Sequence, residues 1–124
     1  MQERISPLID RQITFAHRGA RAHLRENTIE AFELAIRLGA SGLESDTWIT
    51  RDGIAVLDHD GIVKGRLRSK PIASVNRDAL PDWIPSLKDL YVRCGSDFHV
   101  SLDIKDIDSM ADVVHTVAEY GRPE

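Results

Sequence analysis

The chain has 124 residues, enough for one small domain and too few for two of ordinary size. Its 42% hydrophobic and 29% charged content is that of a globular protein rather than a disordered one, and a net charge of −4 argues against general nucleic-acid binding, which takes a basic stripe. One cysteine, Cys94, excludes an internal disulfide; the N-terminal MQERISPLIDRQ lacks the apolar centre of a signal peptide, and no run of about 18 apolar residues exists to span a membrane, so a cytoplasmic location is expected.

Residues 13–16 (ITFA) read as a short buried strand that ends at His17-Arg18-Gly19, a glycine-permitted turn. Asn27-Thr28-Ile29-Glu30 opens a helix, with Asn27 as the expected cap and Glu30 favouring the N-terminus. Ile29, Phe32, Leu34, Ala35, Ile36 and Leu38 give its apolar stripe, and Gly39 stands where a C-terminal cap belongs. A strand follows over 42–49, then a Thr50–Gly53 turn of the Asp-Gly type and a second apolar run, Ile54–Leu57, closed by Asp58-His59-Asp60-Gly61.

The stretch from about 60 to 85 holds three prolines and a basic cluster, Lys64, Arg66, Arg68 and Lys70, and reads as a long loop, which is usually functional or carries irregular structure of its own. Ser86 and Asp89 then form a capping pair for a helix with Leu87, Leu90 and Tyr91 on its apolar side, ended by Gly95. Residues 98–104 alternate as a strand that puts Asp103 and Lys105 on one face. A last helix begins at Asp108 or Ser109, with Met110, Val113, Val114 and Val117 expected on the buried side and Gly121 and Pro123 as its stop.

The chemistry collects at the strand ends. Glu44 and Asp46 are two apart on one strand, so both carboxylates share a face, an arrangement for holding a hard cation. His17 and His59 each follow a short apolar run, and imidazoles titrate near neutrality as proton carriers. With Arg18 beside them, the set points to chemistry on a phosphate. The element order gives an α/β architecture with a mostly parallel sheet, in which ligands gather at the carboxyl ends of the strands.

The segment HRGARAHLRENTIEAFELAIRLGASGLESDTWITRDGIAVLDHD resembles the signature of the glycerophosphodiester phosphodiesterases: His-Arg-Gly, Glu-Asn-Thr, Ala-Phe, Glu-x-Asp, Thr-x-Asp-Gly and His-Asp, in that order. IPSLKDL and SLDIK resemble two later segments of the family, so the motif region covers about residues 13–105. The resemblance implies a (β/α)₈ barrel, a divalent cation (Mg²⁺ or Ca²⁺) and hydrolysis of a small-molecule glycerophosphodiester to glycerol 3-phosphate and an alcohol. It implies His17 and His59 as the acid/base pair, Glu44, Asp46 and Asp103 as metal ligands, and Arg18 and Lys105 as phosphate-facing groups. Glu26 and Asn27 match motif residues that fix the loop after the first strand. Two positions depart from the pattern: Arg25 stands where the family has proline, and Asp103 where it has glutamate.

A barrel of this type takes about 250 residues. The expectation is therefore one partial domain over 1–124, the N-terminal half of the barrel with about four parallel strands, belonging to a longer protein and doubtful as an enzyme alone. Two other readings share the residues: a relative acting on a lysophospholipid or sphingolipid headgroup, and a silent module that keeps metal or phosphate binding.

Overall fold

The computed structural model describes residues 12–122. Residues 1–11 and the Pro123 stop expected from the sequence lie outside them. In chain order the elements are β1 (Phe15–His17), α1 (Ile29–Arg37), β2 (Gly42–Ile49), β3 (Ala55–Leu57), β4 (Ile62–Lys64), β5 (Ser69–Pro71), α2 (Leu87–Cys94), β6 (His99–Ile104) and α3 (Met110–Tyr120). Short 3₁₀ turns occupy Ile72–Ser74, Arg77–Ala79 and Ile107–Ser109.

β2 is the centre of the main sheet. It pairs in parallel with β1, His17 opposite Glu44, and with β6, Asp46 opposite Asp103. Helices return the chain between these strands, as parallel pairing requires. The fourth strand corrects the expectation of about four parallel strands: β3 runs antiparallel to the end of β2, Thr47 opposite Leu57. The Thr50–Gly53 turn is too short for a crossover. It closes with Gly53 N–H donating to the Thr50 carbonyl at 3.0 Å, and Gly53 takes φ +84° to do so.

Alternation along β2 divides its chemistry. Leu43 enters a core with Phe32 and Ala35 of α1, Leu57 of β3, and Leu87 and Leu90 of α2, while Glu44 and Asp46 occupy the other face. The long stretch after β3 is not irregular loop. β4 and β5 form a hairpin, and Val56, Ile72, Leu80 and Ile84 make a second small core, with Trp48 and Val63 packed on it.

Two helix details differ from the sequence reading. Thr28, not Asn27, caps α1, its hydroxyl accepting from Ala31 N–H at 3.2 Å. Asn27 instead takes φ +55° and turns its side chain elsewhere. On α3, Val113 and Thr116 are buried and Val117 is half-buried, whereas Met110 and Val114 are exposed because the helix packs through a narrower stripe than its apolar content suggests. The α2 capping box forms as expected: Ser86 Oγ accepts from Asp89 N–H and the Asp89 carboxylate accepts from Ser86 N–H, both at 3.0 Å.

Candidate active site

The register of three strands assembles most of the site. β1 places His17 beside Glu44, with Nε2 3.3 Å from Oε2. Arg18 follows with φ +56°, its backbone N–H donating to the Glu44 carbonyl at 2.8 Å. This turn carries the guanidinium across the strand ends, where Nε stands 3.8 Å from Asp46 Oδ2 and Nη1 bonds Glu26 Oε2 at 2.7 Å. The hydrogen bond to Glu26 is the chief cause of an Arg18 pKa above its ordinary value, so the charge is permanent.

From the other side, β6 delivers Asp103 level with Asp46, and the next turn of the pleat delivers Lys105. The Lys105 ammonium bonds Asp103 Oδ2 and lies 3.6 Å from Asp46 Oδ1; its bond to Asp103 raises its pKa. Asp46 is thus buried between two cations, its side chain 5% exposed.

His59 reaches the site through the antiparallel return of β3. Asp58 N–H donates to the Asp46 carbonyl at 3.1 Å, which brings the Asp58-His59-Asp60 corner back to the level of the acidic pair. Asp58 ties that corner, accepting from Gly61 N–H at 2.9 Å and Asp60 N–H at 3.1 Å, although burial holds its own pKa above the ordinary carboxylate range. The His59 ring has Nδ1 2.7 Å from Asp60 Oδ1, which leaves Nε2 for other partners. His59 lines a cleft of about 260 Å³ with Arg25, Glu26, Asn27, Lys64 and Trp83, and through Glu26 this cleft joins the Arg18 cluster. Arg25 lies 4.5 Å over the Trp83 ring, a cation–π contact that uses the departure from proline.

Among the described residues, the buried polar atoms that form no hydrogen bond are Arg18 Nε, Asn27 Nδ2, Glu44 Oε2 and Asp46 Oδ2. Buried polar groups are normally paired, since an unmet donor or acceptor costs about 1–3 kcal/mol. Arg18 Nε and Asp46 Oδ2 stand 3.8 Å apart and Glu44 Oε2 is 3.3 Å from His17 Nε2, so these three atoms meet as charged neighbours at the strand ends, while Asn27 lines the His59 cleft. Among the described residues, no three His, Cys, Asp or Glu groups converge as closely as metal ligands do. Asp103, expected as the third ligand, is paired with Lys105. Glu44 and Asp46 are hard oxygen donors on one strand face, and their Oε2 and Oδ2 form no hydrogen bond although His17 and Arg18 stand beside them, a donor set that suits a hard cation.

Asn27 is the residue that sequence reasoning undervalued. Its Oδ1 accepts from Ser45 Oγ at 2.8 Å and its backbone N–H donates to the Arg18 carbonyl at 2.9 Å, and the residue lines the His59 cleft. The signal was the left-handed backbone that asparagine tolerates, just before a better cap, Thr28. Larger cavities of about 480 Å³ lie elsewhere, one along β6 and α3 and one between α2 and α3, and they hold none of these groups.

A sequence model of the glycerophosphoryl diester phosphodiesterase family matches residues 17–119. The chain is 33% identical over 109 residues to a glycerophosphodiester phosphodiesterase of Caldanaerobacter subterraneus subsp. tengcongensis, covering 75% of this chain and 45% of that protein. It is 36% identical over 102 residues to mouse glycerophosphodiester phosphodiesterase 1, covering 68% and 31%. Among solved structures, the glycerophosphodiester phosphodiesterase of Thermotoga maritima superposes with a TM-score of 0.80 at 28% identity, over 90% of this chain and 52% of that one. An Oleispira antarctica phosphodiesterase, solved with the product sn-glycerol-3-phosphate, shares the fold with a TM-score of 0.76 at 20% identity, over 91% and 54%. The chain therefore spans about half the length of these barrel relatives or less. By the extent of the family match and the agreement in fold, the chain belongs to the glycerophosphoryl diester phosphodiesterase family.

Proposed function

We propose that the site serves hydrolysis of a glycerophosphodiester to glycerol 3-phosphate and an alcohol. The observation that carries this is the meeting of His17, Arg18, Glu44 and Asp46 at the ends of β1 and β2, with Arg18 bonded to Glu26 on the rim of the His59 cleft. A phosphodiester anion meets Arg18 and Asn27 as donors, with Lys105 as a nearby point charge. His17 accepts the proton of the attacking hydroxyl, either water directly or the substrate's own glycerol hydroxyl, in which case water then opens the cyclic phosphate to glycerol 3-phosphate. His59, with Nδ1 held by Asp60, donates from Nε2 to the leaving alcohol oxygen. Glu44 and Asp46 would hold a divalent cation such as Mg²⁺ or Ca²⁺, with Asp103 as the third carboxylate at the neighbouring register position. Bound there, the cation would neutralise phosphate charge and polarise a phosphoryl oxygen.

The test has two parts. Glycerol 3-phosphate, titrated into the chain and followed by NMR, should shift the Arg18 Nε–H and Asn27 side-chain amide signals; no shift at millimolar ligand refutes the anion site. The polypeptide purified as its own cell makes it should release glycerol 3-phosphate from glycerophosphocholine, with loss on chelation and recovery on adding Mg²⁺ or Ca²⁺. His17→Ala or His59→Ala should each lower turnover by at least about 100-fold. A near-normal rate in either variant overturns the assignment of the histidines.

A further inference from the structure

Beyond β3 the chain leaves the main sheet as the β4–β5 hairpin. The pairs Ile62 with Pro71, Val63 with Lys70 and Lys64 with Ser69, closed by Gly65 N–H donating to the Arg68 carbonyl at 2.8 Å, make residues 65–68 its tip. Lys64, Arg66, Arg68 and Lys70 fall within this short span, all exposed and none in an ion pair with a carboxylate among the described residues. In a chain of net charge −4 this is a local reversal of sign.

Leu67 sits between the two arginines and is 94% exposed. At the hairpin's base Ile62, 45% exposed, and Trp83, 49% exposed, line the same cleft as His59. A single exposed leucine is ordinary. A leucine at a hairpin apex, flanked by unpaired cations and backed by an apolar cleft rim, is an amphipathic tip. A polyanion would use the cations and gain nothing from Leu67. An anionic bilayer uses both, cations at the phosphate level and the apolar group at the acyl boundary.

We propose that the β4–β5 hairpin docks this protein peripherally on anionic lipid bilayers, with Leu67 entering the interface and the His59 cleft held at the membrane surface. Among the described residues no helix is long and apolar enough to cross a membrane, so the contact is superficial and reversible. Each basic residue near an anionic surface strengthens binding by about fivefold, and salt screens that gain. Docking does not depend on hydrolysis, so it stands or falls separately from the proposed reaction.

The experiment is co-sedimentation of the full chain with vesicles of phosphatidylcholine alone or mixed equally with phosphatidylglycerol. Binding is expected to the mixed vesicles only, falling as salt rises. The double variant R66Q/R68Q should bind about 25-fold more weakly. Leu67→Ser should weaken binding several-fold while keeping the salt dependence. These side chains are exposed at a turn, and an unchanged circular dichroism spectrum will show that each variant folds. Equal binding to neutral vesicles, or mixed-vesicle binding that ignores the arginine changes, overturns the proposal. So does full binding by the Leu67 variant combined with release by a short oligonucleotide, which would make the tip a polyanion site.

Discussion

Gly19 provides the sharpest test of how the first loop is held over the site. It takes φ +76°, and a Cβ built on it would lie 2.7 Å from the Ala31 carbonyl carbon and 2.9 Å from both the Ala31 oxygen and Cβ. Those atoms belong to the first turn of α1, and Ala20 N–H is bonded to the same Ala31 oxygen at 2.9 Å, so neither side can shift alone. Gly53 is the internal control, with a similar φ of +84° and nothing within 4 Å of a built Cβ. Alanine in the left-handed region costs about 1–2 kcal/mol, which both positions share. Forcing a methyl into packed backbone adds roughly 1–3 kcal/mol at Gly19 only. Gly53→Ala should therefore lose about 1–2 kcal/mol and Gly19→Ala about 2–5 kcal/mol. Urea unfolding by tryptophan fluorescence measures both, and at a slope of roughly 1–3 kcal/mol per molar the midpoints should separate clearly. Equal losses in the two variants would refute the close packing of loop and helix.

Other outcomes follow from single contacts. Ser86→Ala removes the α2 cap and should cost about 1 kcal/mol in the same assay, with α2 amides exchanging faster. Burial alone would raise the Asp89 pKa, but the Ser86 N–H and the Arg77 guanidinium outweigh it and hold the carboxyl below its ordinary value. Its contribution is therefore complete above the unfolded pKa and lost as pH falls through the lower folded one; Asp89→Asn should flatten that acid limb, and an unaltered limb would discard the assignment. The Cys94 thiol, pushed up to about 11 by burial with Glu33 nearby, should alkylate slowly at pH 8 in the folded protein and rapidly in urea. Arg18→Met leaves Glu26 without its 2.7 Å partner and Asp46 with Lys105 as its remaining cation, so the variant should be less stable and should no longer bind glycerol 3-phosphate. Retained binding at wild-type affinity would remove Arg18 from the anion site.

Much of this was legible in the sequence because it was local. The Ser86–Asp89 cap depends on residues three apart, the Glu44–Asp46 face on residues two apart, and the Asp-Gly turn on four consecutive residues. The apolar segments likewise fell where β2, α1 and α2 form. Less legible was the direction of β3, since an apolar run says strand without saying how it pairs, and the short Thr50–Gly53 turn outweighed the parallel pattern of its neighbours. Met110 and Val114 misled because a helix can carry more apolar residues than its neighbours can cover.

The sequence alone determined which groups are present: two imidazoles, three carboxylates, an arginine and a lysine, in the order of this family's motifs. Tertiary structure decided how they meet. Strand register set Asp103 level with Asp46 and put the Lys105 ammonium within reach of both carboxylates. The antiparallel return of β3 tied Asp58 to the Asp46 carbonyl and placed His59 in a cleft that Asn27 also lines. Each of these rests on contacts between residues far apart in the chain. Their geometry exists only once the strands have aligned, whereas the identity of the groups is written in the chain itself.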